Sequence, residues 1–258
     1  MEEAPVSLQE MLRRALTAQV ELGMGEMIVM REERYSGKEY SEERIQMVKK
    51  SPETVDLFGA DKKVERVPQF DSLKAHYDAV CTCQLCPLGQ TRTKFVYGVG
   101  STKADLIFIG EAPGRDEDLQ GEPFVGRAGQ LLDRILVAMG LSREEVYIGN
   151  ILKCRPPNNR DPLPDEAEKC LPHLLEQITL IRPKLICALG RIAGQILLKT
   201  TAPLGKLRGQ WHEFEGVPLM VTYHPAALLR FPGYKKDLWA DMQALKKRLD
   251  ELRMSQNT

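Results

Sequence analysis

Apolar and polar positions follow one rhythm up to about residue 70 and another beyond it. Near the start, Leu8, Met11, Leu12, Ala15 and Leu16 recur at helical spacing. Ahead of them, Ser7-Leu8-Gln9-Glu10 has the form of a capping box, in which the serine oxygen takes the third amide and Glu10 reaches back. A helix is predicted there, ending near Gly23 or Gly25. Residues 31–70 are charge-rich and poorly periodic, and read as a linker with a short helix after Ser41.

From residue 71 the pattern tightens. Residues 71–80 can form a helix that leads into a cysteine-rich loop. The run 104–109 (ADLIFI) is apolar throughout, as in a strand covered on both faces. Ala128, Leu131, Leu132, Ile135, Leu136 and Met139 then line one helical face, and Gly140 is placed to stop it. A second strand is predicted over 146–150 and a third over 185–189 (LICAL). Between these two, a helix starts near Asp165, whose side chain can cap it with Glu168 three residues on, and Pro172 is expected to bend or interrupt it. Residues 191–199 read as a helix, 210–215 and 217–223 as a hairpin around Gly216, and 235–252 as a final amphipathic helix.

Strands alternating with helices predict an α/β fold: a three-layer α/β/α domain with a central, mostly parallel four-stranded sheet. A partly helical N-terminal extension (1–70) would precede the domain (71–258). Ligands of open sheets gather at the carboxyl ends of the strands. Glu111, Asn150, Gly190 and His224 all fall at such ends.

The 258 residues carry 36 basic and 36 acidic side chains. The balance is uneven: residues 1–80 hold 12 basic and 16 acidic groups, residues 81–258 hold 24 and 20. The second part therefore suits an anionic partner weakly. No stretch is long and apolar enough for a membrane span, and the start lacks the basic and apolar pattern of a secretory signal. Six cysteines in such a chain point to thiols or metal ligands, and a cytoplasmic protein is expected.

Cys83-x2-Cys86 and Cys154-x15-Cys170 can together hold a structural zinc or an iron–sulfur cluster. Cys81 leaves the choice of ligands open, because Cys81 with Cys83 or Cys83 with Cys86 would serve. Cys187 sits inside an apolar strand and reads as core. After the first strand, Gly110-Glu111-Ala112-Pro113-Gly114 brings small residues and a carboxylate to its tip. Glu111 can activate water or belong to a solvated loop. The loop has too few glycines and no lysine for a phosphate cradle. Phe124 can stack on a planar ligand or pack in the core. Asn150 offers a donor and an acceptor, the pair needed to read a pyrimidine edge.

Four motifs carry a resemblance. GEAPGRDED (110–118), PFVGRAGQ (123–130), NILKCRPP (150–157) and HPAALLR (224–230) resemble those of the family 4 uracil-DNA glycosylases, in order and at comparable spacing from about residue 75 to 250. The resemblance implies an enzyme that hydrolyses the N-glycosidic bond of deoxyuridine in single- or double-stranded DNA, releasing uracil and leaving an abasic site. It implies a [4Fe–4S] cluster on Cys83, Cys86, Cys154 and Cys170. It makes Glu111 the catalytic carboxylate, supported by Glu117, and gives Ala112 and Pro113 backbone contacts to the base. Phe124 would stack on uracil, Asn150 would read its edge, and His224 would face O2 of the departing base. Leu228, Leu229 and Arg230 would enter the duplex, with Lys153 and Arg230 on phosphates.

A related branch traps uracil covalently through a histidine in a basic loop after the third motif. Residues 156–162 (PPNNRDP) contain none, so turnover is expected rather than a retained complex. The competing reading is a module that holds uracil-containing DNA without release. A monomer with no membrane association is expected, and residues 1–70 gain nothing from the resemblance.

Overall fold

In the computed structural model, residues 68–255 are described. The expected helix after Ser7 and the 31–70 linker lie almost wholly outside them. The chain enters through α1 (Leu73–Val80), capped by the Ser72 hydroxyl accepting from Ala75 N–H. A short helix α2 (Leu88–Thr91) and the two-residue strand β1 (Val99–Gly100) follow. Next come β2 (Leu106–Gly110), α3 (Arg115–Gln120), α4 (Arg127–Ala138) and β3 (Tyr147–Asn150). The second half holds α5 (Pro164–Ile181), β4 (Leu185–Leu189), α6 (Arg191–Leu197) and α7 (Leu204–Leu207). It closes with β5 (Trp211–Phe214), β6 (Val217–Thr222), α8 (Pro225–Arg230) and α9 (Lys235–Met254).

The sheet has six strands in the order β1-β3-β2-β4-β6-β5. Its central four, β3, β2, β4 and β6, are parallel, as the apolar runs require. The four-stranded expectation is corrected at both edges, where β1 and β5 pair antiparallel. Strand β1 is too short and glycine-rich to leave a periodic signal. The hairpin around Gly216 is present: Glu215 and Gly216 both have positive φ (51° and 78°), the backbone that a tight two-residue turn demands.

Alternation within each central strand feeds two cores. Leu106, Phe108, Leu185, Cys187 and Leu189 pack on the side of α4 and α9. Ile107, Ile109, Ile186 and Ala188 face the side of α5 and α6. Cys187 is fully buried, as its apolar run implied. The helix α5 starts within one residue of the expected Asp165, but its cap differs from expectation. Pro164 opens the helix, and Glu166, not Glu168, reaches back to Leu163 N–H at 2.8 Å. Arg160 holds Glu166 from outside through both carboxylate oxygens at 2.6 and 2.8 Å. The helix runs on through Pro172 for 18 residues, so the proline removes one internal hydrogen bond without ending it.

Candidate functional site

Because β3, β2, β4 and β6 run parallel in one sheet, the carboxyl ends of β2, β3 and β6 deliver Glu111, Asn150 and His224 to one rim. They meet at a cleft of about 330 Å³, also lined by Ala112, Pro113, Glu117, Phe124, Asp161 and Arg230. A larger groove of about 540 Å³ lies at the far ends of α4 and α9 and contains none of these residues.

Asn150 forms the floor. It is 2% exposed, and its Oδ1 has no hydrogen-bond partner among the described residues. Leaving a buried acceptor unpaired costs about 1–3 kcal/mol, which a ligand donor can recover. Gly110, paired with Asn150 across the sheet, explains the close approach. A Cβ there would collide with Asn150 Oδ1 and sit 2.7 Å from Phe124 Cζ. Phe124 has φ 55° and is 5% exposed, so the two readings of its ring converge: it is a core side chain that also walls the cleft. Its ring stacks on the His224 imidazole with centroids 5.4 Å apart.

The His224 tautomer follows from its backbone. The imidazole caps α8, with Nδ1 accepting from Ala226 N–H at 3.1 Å. A neutral ring accepting at Nδ1 carries its proton on Nε2. Burial pushes its pKa down to about 4, against the opposing charge of Glu117, so the ring is neutral near pH 7. Gly190, with φ 96°, lets the β6 tip close in, since a Cβ there would lie 3.0 Å from His224 Cβ.

Glu111 is one of three carboxylates lining the cleft, with Glu117 and Asp161. Burial pushes its pKa up to about 7; the negative charge of Asp161 adds to the rise and Arg191 opposes it. Asp161 and Arg191 are themselves paired at 2.8 Å. Sequence reasoning missed this pair. Asp161 was read only as part of a loop lacking a histidine, and only the fold carries that loop to the cleft.

Glu117 braces the walls. One of its oxygens accepts from Val125 and Gly126 N–H, both at 3.0 Å, and the other from Gly114 N–H at 3.1 Å. One side chain thus ties the loop after β2 to the loop carrying Phe124. Glu117→Ala removes all three charge-assisted bonds and is expected to lower stability by about 2 kcal/mol, read as a reduced urea midpoint.

Two expected contact residues are corrected. Lys153 is fully buried, and its ammonium donates inward to Asn150 O at 3.0 Å and Gln177 Oε1 at 2.7 Å. Such a group is withdrawn from any phosphate; it supports the Asn150 backbone instead. Leu228 is 2% exposed and belongs to the core, because α8 packs on α4 through that face. Leu229, at 39%, and the exposed Arg230 are the residues that α8 turns outward.

The cysteines converge from three segments. Arg92 donates to Cys154 Sγ at 3.2 Å and to Cys83 O at 2.7 Å, and Lys153 N–H donates to Cys170 Sγ at 3.3 Å. Burial pushes the Cys170 thiol up to about 12, opposed by Lys153, with Cys154 and Cys86 adding to the rise. Burial likewise raises Cys154, opposed by Arg92 and reinforced by Cys86 and Cys83. Cys81 instead turns its Sγ towards Asp78 O at 3.7 Å. Against that burial, the Arg92 guanidinium and the Lys153 N–H aimed at Cys154 and Cys170 would favour these sulfurs as thiolates once they are bound. Among the described residues, no group of three or more His, Cys, Asp or Glu side chains is arranged to hold a single metal ion.

A three-layer α/β/α sheet with a buried amide and an aromatic wall at its strand tips defines a class: α/β proteins that take a small planar ligand at the sheet's carboxyl edge. The comparisons make this specific. The profile of the Uracil DNA glycosylase superfamily matches residues 97–246. A Type-4 uracil-DNA glycosylase of Archaeoglobus fulgidus is 46% identical over 184 residues, 68% of this chain and 92% of that protein. One from Saccharolobus solfataricus is 46% identical over 189 residues, 70% of this chain and 88% of that protein. A Type-5 uracil-DNA glycosylase of Pyrobaculum aerophilum is 32% identical over 148 residues, 50% of this chain and 64% of that protein. The chain belongs to the Uracil DNA glycosylase superfamily. Among the described residues, no helix is long and apolar enough to cross a membrane.

Proposed function

We propose that the cleft hydrolyses the bond between uracil and deoxyribose in DNA, as a monofunctional uracil-DNA glycosylase of base excision repair. Family membership supports the activity, and one observation ties it to this site: the unpaired, buried Oδ1 of Asn150 at the cleft floor. The N3–H of an everted uracil supplies the missing donor, while the Asn150 amide N–H₂ donates to O4. Cytosine presents the opposite pattern at that edge. A 5-methyl group would meet the crowded wall of Ala112 and Phe124, so thymine is rejected.

Flipping costs a few kcal/mol, and a side chain filling the gap offsets part of it. Leu229 takes that role at the outward end of α8, with Arg230 on phosphate. As the C1′–N1 bond breaks, its electron pair goes to the base and positive charge grows on the sugar. The Nε2–H of His224 donates to uracil O2 as the negative charge develops. Glu111 opposes the sugar cation and orients the water that adds to C1′. It accepts the water's proton, which ends on the uracil anion through solvent. Backbone groups of Ala112 and Pro113 complete the base contacts, and Glu117 holds the walls. Among the described residues no lysine lines the cleft as a Schiff-base nucleophile, so strand cleavage is not expected.

Cys83, Cys86, Cys154 and Cys170 would hold a [4Fe–4S] cluster. Those four residues would let it tie the loop after α1 to the segment after β3 and to α5, a structural contribution. The chain acts as a monomer in the cytoplasm, with residues 71–258 as the catalytic unit. The test is incubation of the protein as purified with uracil-containing single- and double-stranded oligonucleotides. Free uracil released over many turnovers supports the enzyme; a stoichiometric retained complex supports a binding module instead. Iron content and a visible absorption spectrum of the same sample separate a cluster from zinc.

A further inference from the structure

The stretch 229–234 carries three of the ten large hydrophobic side chains that the described residues expose: Leu229 at 39%, Phe231 at 58% and Tyr234 at 37%. Bare apolar groups gathered beside a cleft mark a contact surface rather than chance exposure. Exposed Arg230 lies among them and exposed Lys236 just beyond, which suits a partner that combines flat apolar faces with negative charge.

Phe231 is also rigidly mounted. Its N–H donates to Ala227 O at 2.8 Å at the end of α8, and Pro232 follows. Its ring lies 5.7 Å from that of Tyr234. Tyr234 stacks on Tyr223 at 4.3 Å with planes 7° apart, and the Arg208 guanidinium covers Tyr223 at 5.1 Å. Arg208 in turn is held by Asp241 at 3.0 Å, and Asp241 accepts from Thr222 Oγ1 at 2.6 Å. Thr222 and Tyr223 immediately precede His224, so the base pocket and the exposed ring share one support. The seven residue steps from His224 to Phe231, the two caps of α8, span about 10 Å. Phe231 thus sits outside the cleft lining, next to Arg230, which does line it, with its ring exposed beyond Leu229.

We propose that Phe231 stacks on the base left unpaired opposite the expelled uracil, while Leu229 fills the gap the uracil leaves. This deepens the glycosylase reading and rests on it. Every base has an apolar face, so the contact favours duplex substrates whatever the partner base.

The purified holoprotein, Phe231→Ala and Phe231→Trp are compared by single-turnover uracil release from a U:G duplex and from the same strand alone. For Phe231→Ala we expect the duplex rate to fall about 10-fold, the range of a lost base–aromatic stack, and the single-strand rate to stay within about twofold. Phe231→Trp restores the duplex rate. A second readout uses 2-aminopurine opposite uracil: its fluorescence is quenched on binding the parent protein but not Phe231→Ala. Equal losses on both substrates, or no loss on the duplex, would overturn the proposal, as would unchanged quenching. Failure of the glycosylase reading itself would show separately, as a parent protein that releases no uracil even from the single strand.

Discussion

Glu111→Gln is expected to cut uracil release by at least about 10²-fold near pH 8 and to abolish the acid limb of the pH–rate profile. The sign follows from the buried site. In the proposed mechanism Glu111 acts as a carboxylate, and its pKa is pushed up to about 7, chiefly by burial with Asp161 adding. Release by the parent protein therefore rises with pH through about 7 and is lost below it. The amide cannot titrate, so its residual rate is flat over that window. Stability moves the other way. A carboxyl whose folded pKa is raised contributes fully below its ordinary value of 4.5, and that contribution is lost as pH rises through about 7. Glu111→Gln should thus melt higher than the parent at pH 8 and close to it at pH 4. Single-turnover kinetics and thermal melts at matched pH check both halves. A retained acid limb at pH 7 would assign the titration to another group.

His224→Ala is expected to cost about 10²- to 10³-fold in the rate of base release, the range for removing one donor aimed at a developing anion. The loss should fall on the chemical step more than on binding, because the donor strengthens only as charge moves onto the base. With the imidazole pKa pushed down to about 4 by burial, the ring stays neutral across the assay range. His224→Ala should therefore keep the acid limb near pH 7 while lowering the whole curve. The two variants then separate the roles: one removes the titration, the other removes the plateau. Loss of activity in His224→Ala through weaker DNA binding alone would contradict this assignment.

Lys153 and Leu228 show where motif reading stops. Both lie inside recognisable motifs, and both looked like DNA contacts. A long cationic side chain has no intrinsic direction; Gln177, brought in by α5, turns Lys153 towards the interior. In a helix of six residues, which leucine faces out depends on where α4 lies beneath it. Leu228 and Leu229 are chemically alike, so their order in the chain could not separate them.

The linear chain determined the central sheet and which side chains stand at its strand ends. Runs such as 106–109 and 185–189 are apolar without break, which only a strand covered on both faces explains, and parallel strands then bring their tips to one rim. Glu111, Asn150 and His224 were legible because each stands at the carboxyl end of a strand the sequence predicts. The tertiary structure alone decided the rest: the unpaired Asn150 oxygen, the rise of Glu111 beside Asp161, the convergence of the cysteines and the exposed Phe231. Each depends on segments distant in sequence meeting in space, and periodicity records only how one segment meets the core.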